Sequence, residues 1–147
     1  AGRGEKEGKS VIQTYDPSHY CIRFAKTQNY AGFIEQELSY RKSLLYPPFK
    51  KIILIKGICQ DEVAVKNALN ELKSILLKNI KNDSHLILGP SECLIKKTNN
   101  QYRYQLIVKT NKIYDFNKLY NRSFQQLYSK FKRNIKWHYD VDPQSII

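Results

Sequence analysis

Lys51-Ile52-Ile53-Leu54-Ile55-Lys56-Gly57-Ile58-Cys59, followed by Gln60-Asp61-Glu62-Val63-Ala64-Val65, contains the change of period on which the fold turns. Residues 51–59 are a β-branched apolar run, the pattern of a buried strand. From Asp61 the apolar positions become Val65, Ala68, Leu69, Leu72, Ile75 and Leu76. Steps of three and four place them along one side of a helix that Asp61 starts. A strand therefore feeds directly into an amphipathic helix.

Downstream, His85 to Leu88 is short and apolar and is stopped by Gly89-Pro90. Glu92–Lys97 and Gln101–Lys109 flank Thr98-Asn99-Asn100, a hairpin signal. Asn111 is expected to cap a helix through Phe131, with Ile113, Phe116, Tyr120, Phe124, Leu127 and Phe131 as its apolar stripe. Ile135 to Val141 alternates and reads as the last strand. The order β-α-β-β-α-β predicts an α+β, ferredoxin-like domain. Its sheet is antiparallel, with both helices on one face and the other face left for solvent or a partner.

Upstream, residues 1 to 10 read as loop and Ser10–Thr14 as a short strand. Asp16-Pro17 supplies a helix N-cap followed by a first-turn proline, predicting a helix to about Thr27. Asn29 is expected to cap a second helix with Tyr30, Phe33, Ile34, Leu38, Arg41 and Leu45 along one side. Tyr46-Pro47-Pro48-Phe49 ends it, because proline cannot continue a helix and restricts the residue before it. A domain boundary is expected here.

The chain has 147 residues, and its 41% hydrophobic and 12% aromatic content argues against intrinsic disorder. No apolar run approaches the roughly 18 residues of a membrane helix. Cys21, Cys59 and Cys93 are odd in number and widely spaced. They read as reduced thiols, with no C-x-x-C pair for zinc. The chain contains no Met and opens on Ala1-Gly2-Arg3-Gly4. That reads as a piece of a longer protein, the rival being a tag scar.

Charge is concentrated. Of the net +12, residues 96–136 carry +10, eleven Lys/Arg against Asp115 alone. The basic residues are Lys96, Lys97, Arg103, Lys109, Lys112, Lys118, Arg122, Lys130, Lys132, Arg133 and Lys136. A field this lopsided points to a polyanion partner, the alternative being a solvated charged face. Period two sorts the strands. Tyr102, Tyr104, Leu106 and Val108 share one side, and Arg103, Gln105, Ile107 and Lys109 the other. In the last strand Ile135, Trp137, Tyr139 and Val141 oppose Lys136, His138 and Asp140. The aromatics travel with the aliphatics and are expected in the core, so the open face is expected to be basic and polar. Contact with a phosphate backbone is then favoured over base stacking.

No self-contained catalytic site is evident. Gly2-Arg3-Gly4 followed by Gly8 is one residue too long for G-x-G-x-x-G, and there is no G-x-x-x-x-G-K-[ST] loop. His19, His85 and His138 are scattered. Asp140 and Asp142 could form a carboxylate pair, but a structural cap or turn is the better reading.

Five segments carry a family resemblance. Ala1-Gly2-Arg3-Gly4-Glu5-Lys6 looks like the end of motif VI of superfamily 2 helicases. Val11 to Pro17 resembles the strand and turn that follow it in the primosomal replication-restart helicases, the primosomal protein N′ family. Arg41 to Phe49 is similar to that family's R-x-x-x-x-Y-P-P-F segment, Gln101 to Gln105 to its Y-R-Y-Q strand, and Asp140 to Ser145 to its terminal D-V-D-P-x-S. The order is preserved along the whole chain.

The resemblance implies the C-terminal portion of an ATP-driven 3′→5′ DNA helicase of replication restart. Residues 1–15 would end the second RecA-like lobe, 16–46 would be a helical connector, and 47–147 a C-terminal DNA-binding domain like a small-subunit ribosomal protein. Arg3 would match the arginine that reaches the ATP γ-phosphate in the parent. ATP, Mg and Zn are implied for the parent and no cofactor for this portion, which should be inactive alone. Forked and single-stranded DNA, the acidic tail of the single-stranded DNA-binding protein and other primosome proteins are the implied partners, in the cytoplasm at the nucleoid. DNA contact is expected through Lys96, Lys97, Arg103, Lys109, Lys118, Arg122, Lys130, Arg133 and Lys136. The competing readings are a free-standing RNA or ribosome-associated module on the same topology, and an acylphosphatase-like hydrolase, for which no anion loop is evident between Phe49 and Asp61.

Overall fold

A computed structural model describes residues 8, 10–80, 84–131 and 135–144, without the side chains of residues 129 and 130. The chain forms two compact units that divide between Tyr40 and Arg41.

The first unit holds α1 (Tyr20–Lys26) and most of α2 (Tyr30–Ser43). Residues 10–14 form no strand, and Val11 and Tyr15 are exposed. A strand needs a neighbour to take its backbone hydrogen bonds, and none of the sheet's strands pairs with this segment. Helix α1 also starts later than expected. Asp16 accepts from the backbone and hydroxyl of Ser18 in a local turn, and His19 is the N-cap. A short polar side chain that can close its own turn competes with helix initiation. Asn29 does cap α2, its Oδ1 accepting from Gly32 N at 2.9 Å. Tyr20 packs against Phe33 and Tyr40 and donates its hydroxyl proton to Glu37. No α1 or α2 residue is fully buried.

Leu45 takes a positive φ of 55°, and Tyr46 N donates to Arg41 O at 2.8 Å. This i→i+5 closure after a left-handed residue is how α2 ends before the prolines.

The second unit runs β1 (Lys51–Cys59), α3 (Glu62–Asn79), β2 (His85–Thr98), β3 (Gln101–Thr110), α4 (Ile113–Lys130) and β4 (Lys136–Val141). The strands form one sheet in the order β2-β3-β1-β4, every neighbouring pair antiparallel. Asp61 caps α3 as expected, its Oδ1 accepting from Val63 N and Ala64 N. Asn99 and Asn100 both have positive φ between the paired Thr98 and Gln101. That is the two-residue turn whose twist suits a hairpin, and asparagine tolerates it.

Two expectations for this unit change. The apolar 85–88 and 92–97 segments are one strand, joined through irregular pairing between Leu88 and Ser91, where Gly89 has φ +95°. A Gly-Pro pair can make a bulge as readily as an end. And Asn111 does not cap α4. Lys112 is the cap residue and makes no side-chain cap bond, while Thr110 Oγ1 accepts from Lys112 N.

The core lies between the sheet and the two helices. Val65, Leu69, Leu72 and Leu76 of α3 and Phe116, Tyr120 and Leu127 of α4 meet Ile53, Ile55, Ile87, Tyr104, Leu106 and Val108. Gly57 permits the close approach of α3, since a Cβ there would lie 2.9 Å from Val65 Cγ2. The aromatics travel with this core. Tyr120 packs on Tyr139, and Phe124 meets Trp137 edge-on.

Candidate nucleic-acid interface

The sheet's other face carries Ile52, Leu54, Lys56 and Ile58 of β1. Register places Lys109, Ile107, Gln105 and Arg103 beside them on β3, and Asp140, His138 and Lys136 on β4 beside Leu54, Lys56 and Ile58. Directly opposed residues share a face, so the expected sidedness of Arg103, Lys109, Lys136 and His138 is what the pairing produces. No helix of this unit joins the apolar cluster from that side.

The face has two different ends. At one, Lys109 is only 5% exposed. Its Nζ donates to Leu44 O at 2.7 Å and lies 3.8 Å from the centroid of the Tyr46 ring. Burial lowers its pKa. The segment leading into β1 therefore occupies this end, and the ammonium is held by a carbonyl and an aromatic face. Asp142 seals the same end. It accepts from Ile52 N at 3.2 Å and from Lys51 Nζ at 2.7 Å, and this pairing with Lys51 lowers its pKa. Asp142 is thus a structural clasp.

At the other end the face opens. Leu54, Lys56, Ile58, Arg103, His138, Tyr139 and Asp140 line a hollow of about 360 Å³. Arg103 and Lys136 sit on either side of Ile58, two strand spacings apart, or roughly 10 Å. Lys56 lies one step along the same face. Arg103 and Lys136 are among the expected DNA-contact residues. Lys56 and His138 are not, although a lone lysine inside the apolar run 52–59 is a readable signal.

The remaining expected DNA contacts are dispersed. Lys96 pairs with Glu92 at 2.8 Å and Glu62 at 3.1 Å. The Tyr104 hydroxyl donates to Glu62 at 2.5 Å, and this bond, followed by Lys96, holds the Glu62 pKa down at about 2. Lys97 lies over the Tyr102 ring, on the helix side of the sheet. Lys118 lies over the Tyr114 ring on α4, and Arg122 follows one turn later. The Lys130 side chain, Arg133 and Arg3 lie outside the described residues. The basic block therefore does not make one surface. It divides among the sheet face around Arg103 and Lys136, the side of α4 toward the end of α3 and the start of β2, and the β2–α3 corner, while Lys109 turns inward.

Among the described residues no three His, Cys, Asp or Glu side chains are placed to hold an ion. Cys21, Cys59 and Cys93 are free, and Cys59 and Cys93 are buried. The residues present do not fit the zinc implied for the parent. No helix of the described residues is long and apolar enough to cross a membrane.

Comparison with known proteins gives the family of the chain. Residues 42–144 match the family described as the primosomal protein N C-terminal domain. The replication restart protein PriA of Synechocystis is 41% identical over 109 residues, covering 74% of this chain and 13% of that protein. The PriA of Borreliella burgdorferi is 33% identical over 151 residues, covering all of this chain and 22% of that protein. In fold alone, the chain is similar to the de novo designed protein Foldit4, with a TM-score of 0.50 and 11% identity over 65% of this chain and 99% of that one. The chain spans less than a quarter of the length of these curated relatives. It belongs to the family of the primosomal protein N C-terminal domain, the C-terminal region of replication restart proteins.

Proposed function

We propose that this chain grips a DNA backbone on the open end of its sheet, as the C-terminal region of an ATP-dependent 3′→5′ helicase of replication restart. The carrying observation is the hollow lined by Lys56, Arg103 and His138, with Lys136 next to Ile58 in register, on the sheet face turned away from α3 and α4. Lys56, Arg103 and His138 bring cationic and hydrogen-bonding groups beside Leu54 and Ile58, while the Tyr139 ring packs on Tyr120 of α4, which supports phosphate contact over base stacking. The β-α-β-β-α-β order and the 4-1-3-2 strand sequence support a ferredoxin-like reading of residues 47–147. Residues 16–46 serve as connector and 1–15 as the edge of a helicase lobe. ATP, Mg and Zn belong to the parent, where Arg3 would meet the γ-phosphate, and the acidic tail of the single-stranded DNA-binding protein is a further partner.

Fluorescence anisotropy with a labelled fork tests this. Binding by the 147-residue chain should fall with salt. The combined Lys56→Gln, Arg103→Gln and Lys136→Gln variant should lower the log–log slope by about 0.9 for each duplex phosphate it leaves unneutralised, or about 0.7 on a single strand. One phosphate for each of the three cations corresponds to a slope change of about 2 to 3. An unchanged slope would overturn the assignment to this face. Preference for structured RNA over the fork would favour the ribosome-like reading instead.

A further inference from the structure

On the helix side of the sheet, the end of α3 and the start of β2 meet α4 around a cavity of about 460 Å³. This is a different place from the open sheet face and does not depend on the reading above. Lys112, Lys118 and Arg122 line it from α4 and its cap position, with Ser84 and His85 across from them. Among the described residues no ion pair engages those three cations. Asp115 is the acid in the lining. Leu119 and Ile80 add apolar wall.

A second observation is independent of the charge. Ser123 also lines the cavity, is 1% exposed, and its Oγ has no hydrogen-bond partner. A serine inside a helix ordinarily bonds back to the carbonyl one turn earlier. A buried hydroxyl without any partner is uncommon in a folded protein and costs stability. A ligand acceptor oxygen would satisfy it. Helix α4 also begins without a side-chain cap, leaving its N-terminal end electropositive.

We propose that this cavity binds a phosphate group carried by a nucleotide-sized ligand. Three cations on stems of different length and a hydroxyl suit a group that presents several acceptor oxygens in different directions. A carboxylate offers two oxygens in one plane. The volume exceeds what one phosphate fills and lies in the range of small-ligand sites. The apolar wall leaves room for the attached sugar or base. The same phosphate could come from a free deoxynucleotide or from the 5′ end of a DNA strand.

Amide chemical-shift titrations of the 147-residue chain read this out. The probes are inorganic phosphate, deoxyadenosine monophosphate, and one oligodeoxynucleotide with or without a 5′-phosphate. Saturable shifts are expected at Ser84, His85 and residues 112–126, with a Kd at or below about 1 mM for the monophosphate. If the 5′-phosphate strengthens the oligonucleotide's shifts there, the strand end is the source. If only the small probes act, the source is free ligand. Arg122→Gln should weaken binding at least about tenfold, the scale of a charge-assisted hydrogen bond. Ser123→Ala should weaken it about threefold to tenfold without lowering Tm, since the hydroxyl has no internal bond to lose. The Arg103→Gln variant should bind phosphate normally while its DNA binding becomes less salt-dependent, so the two readings can fail separately. Absence of saturable shifts below about 10 mM, or shifts confined to Arg103 and Lys136, would overturn the proposal. So would a fall in Tm for Ser123→Ala, or an acidic peptide that shifts these amides where phosphate does not.

Discussion

Gly89→Ala should strongly destabilise the second unit, and the size follows from the geometry. Gly89 has φ +95°, a region that L side chains rarely adopt, at a cost of about 1–3 kcal/mol. A Cβ there would lie 2.7 Å from Gln105 O and 3.0 Å from Ser91 N. Both neighbours are backbone atoms, so no side-chain rotation relieves the overlap. Either β2 lifts from β3 or the bulge rearranges, at about 1–3 kcal/mol. Alanine also restricts the unfolded chain, which returns about 0.4–1 kcal/mol. The net loss is about 1–5.5 kcal/mol. For a unit of this size each kcal/mol is worth about 4 °C or more, so Tm should fall by roughly 4–20 °C or more. Urea unfolding should show a lower midpoint with an unchanged slope. A loss under about 1 kcal/mol would refute the reasoning, since β2 would then tolerate a side chain where the bulge leaves no space.

Leu69→Ala, at a fully buried position of α3, should cost about 2–5 kcal/mol in the same unfolding assay. His85 should make stability depend on pH. Burial lowers its folded pKa below the ordinary value of 6.5, so the unfolded chain takes up the proton first. Its contribution is fully present above about pH 6.5 and is lost as pH falls toward the folded pKa. Asp115, Lys112 and Lys50 act on the ring and Thr110 Oγ1 bonds it at 2.7 Å, so the comparison should be His85→Gln against the parent chain in phosphate-free buffer. The difference between them should shrink as pH is lowered from 7.5 to 5.5. Tyr104→Phe should raise the pKa of Glu62 from about 2 toward the ordinary carboxylate range, measurable by NMR titration. No upward movement would mean that Lys96 and Lys66 set it without the hydroxyl.

Local patterns in the chain were enough to establish the order of elements, the sidedness of the strands, the Asp61 and Asn29 caps and the Asn99-Asn100 turn. Each depends on residues within one or two turns, and period two or 3.6 reports burial directly. The family motifs were legible for the same reason, since they are contiguous. Tertiary structure decided what required a distant partner. Ser10–Thr14 has strand composition but no neighbour to bond. Gly89-Pro90 is a bulge because β3 lies beside both halves of β2. Lys109 and Arg103 alternate identically on one strand, yet the Leu44–Tyr46 segment withdraws one and leaves the other half-buried beside the hollow. Net charge counts lysines without regard to which wall they occupy. Only packing divided the cations between the open sheet face and the α4 cavity, because those neighbours are many residues apart in the chain and meet only when it folds.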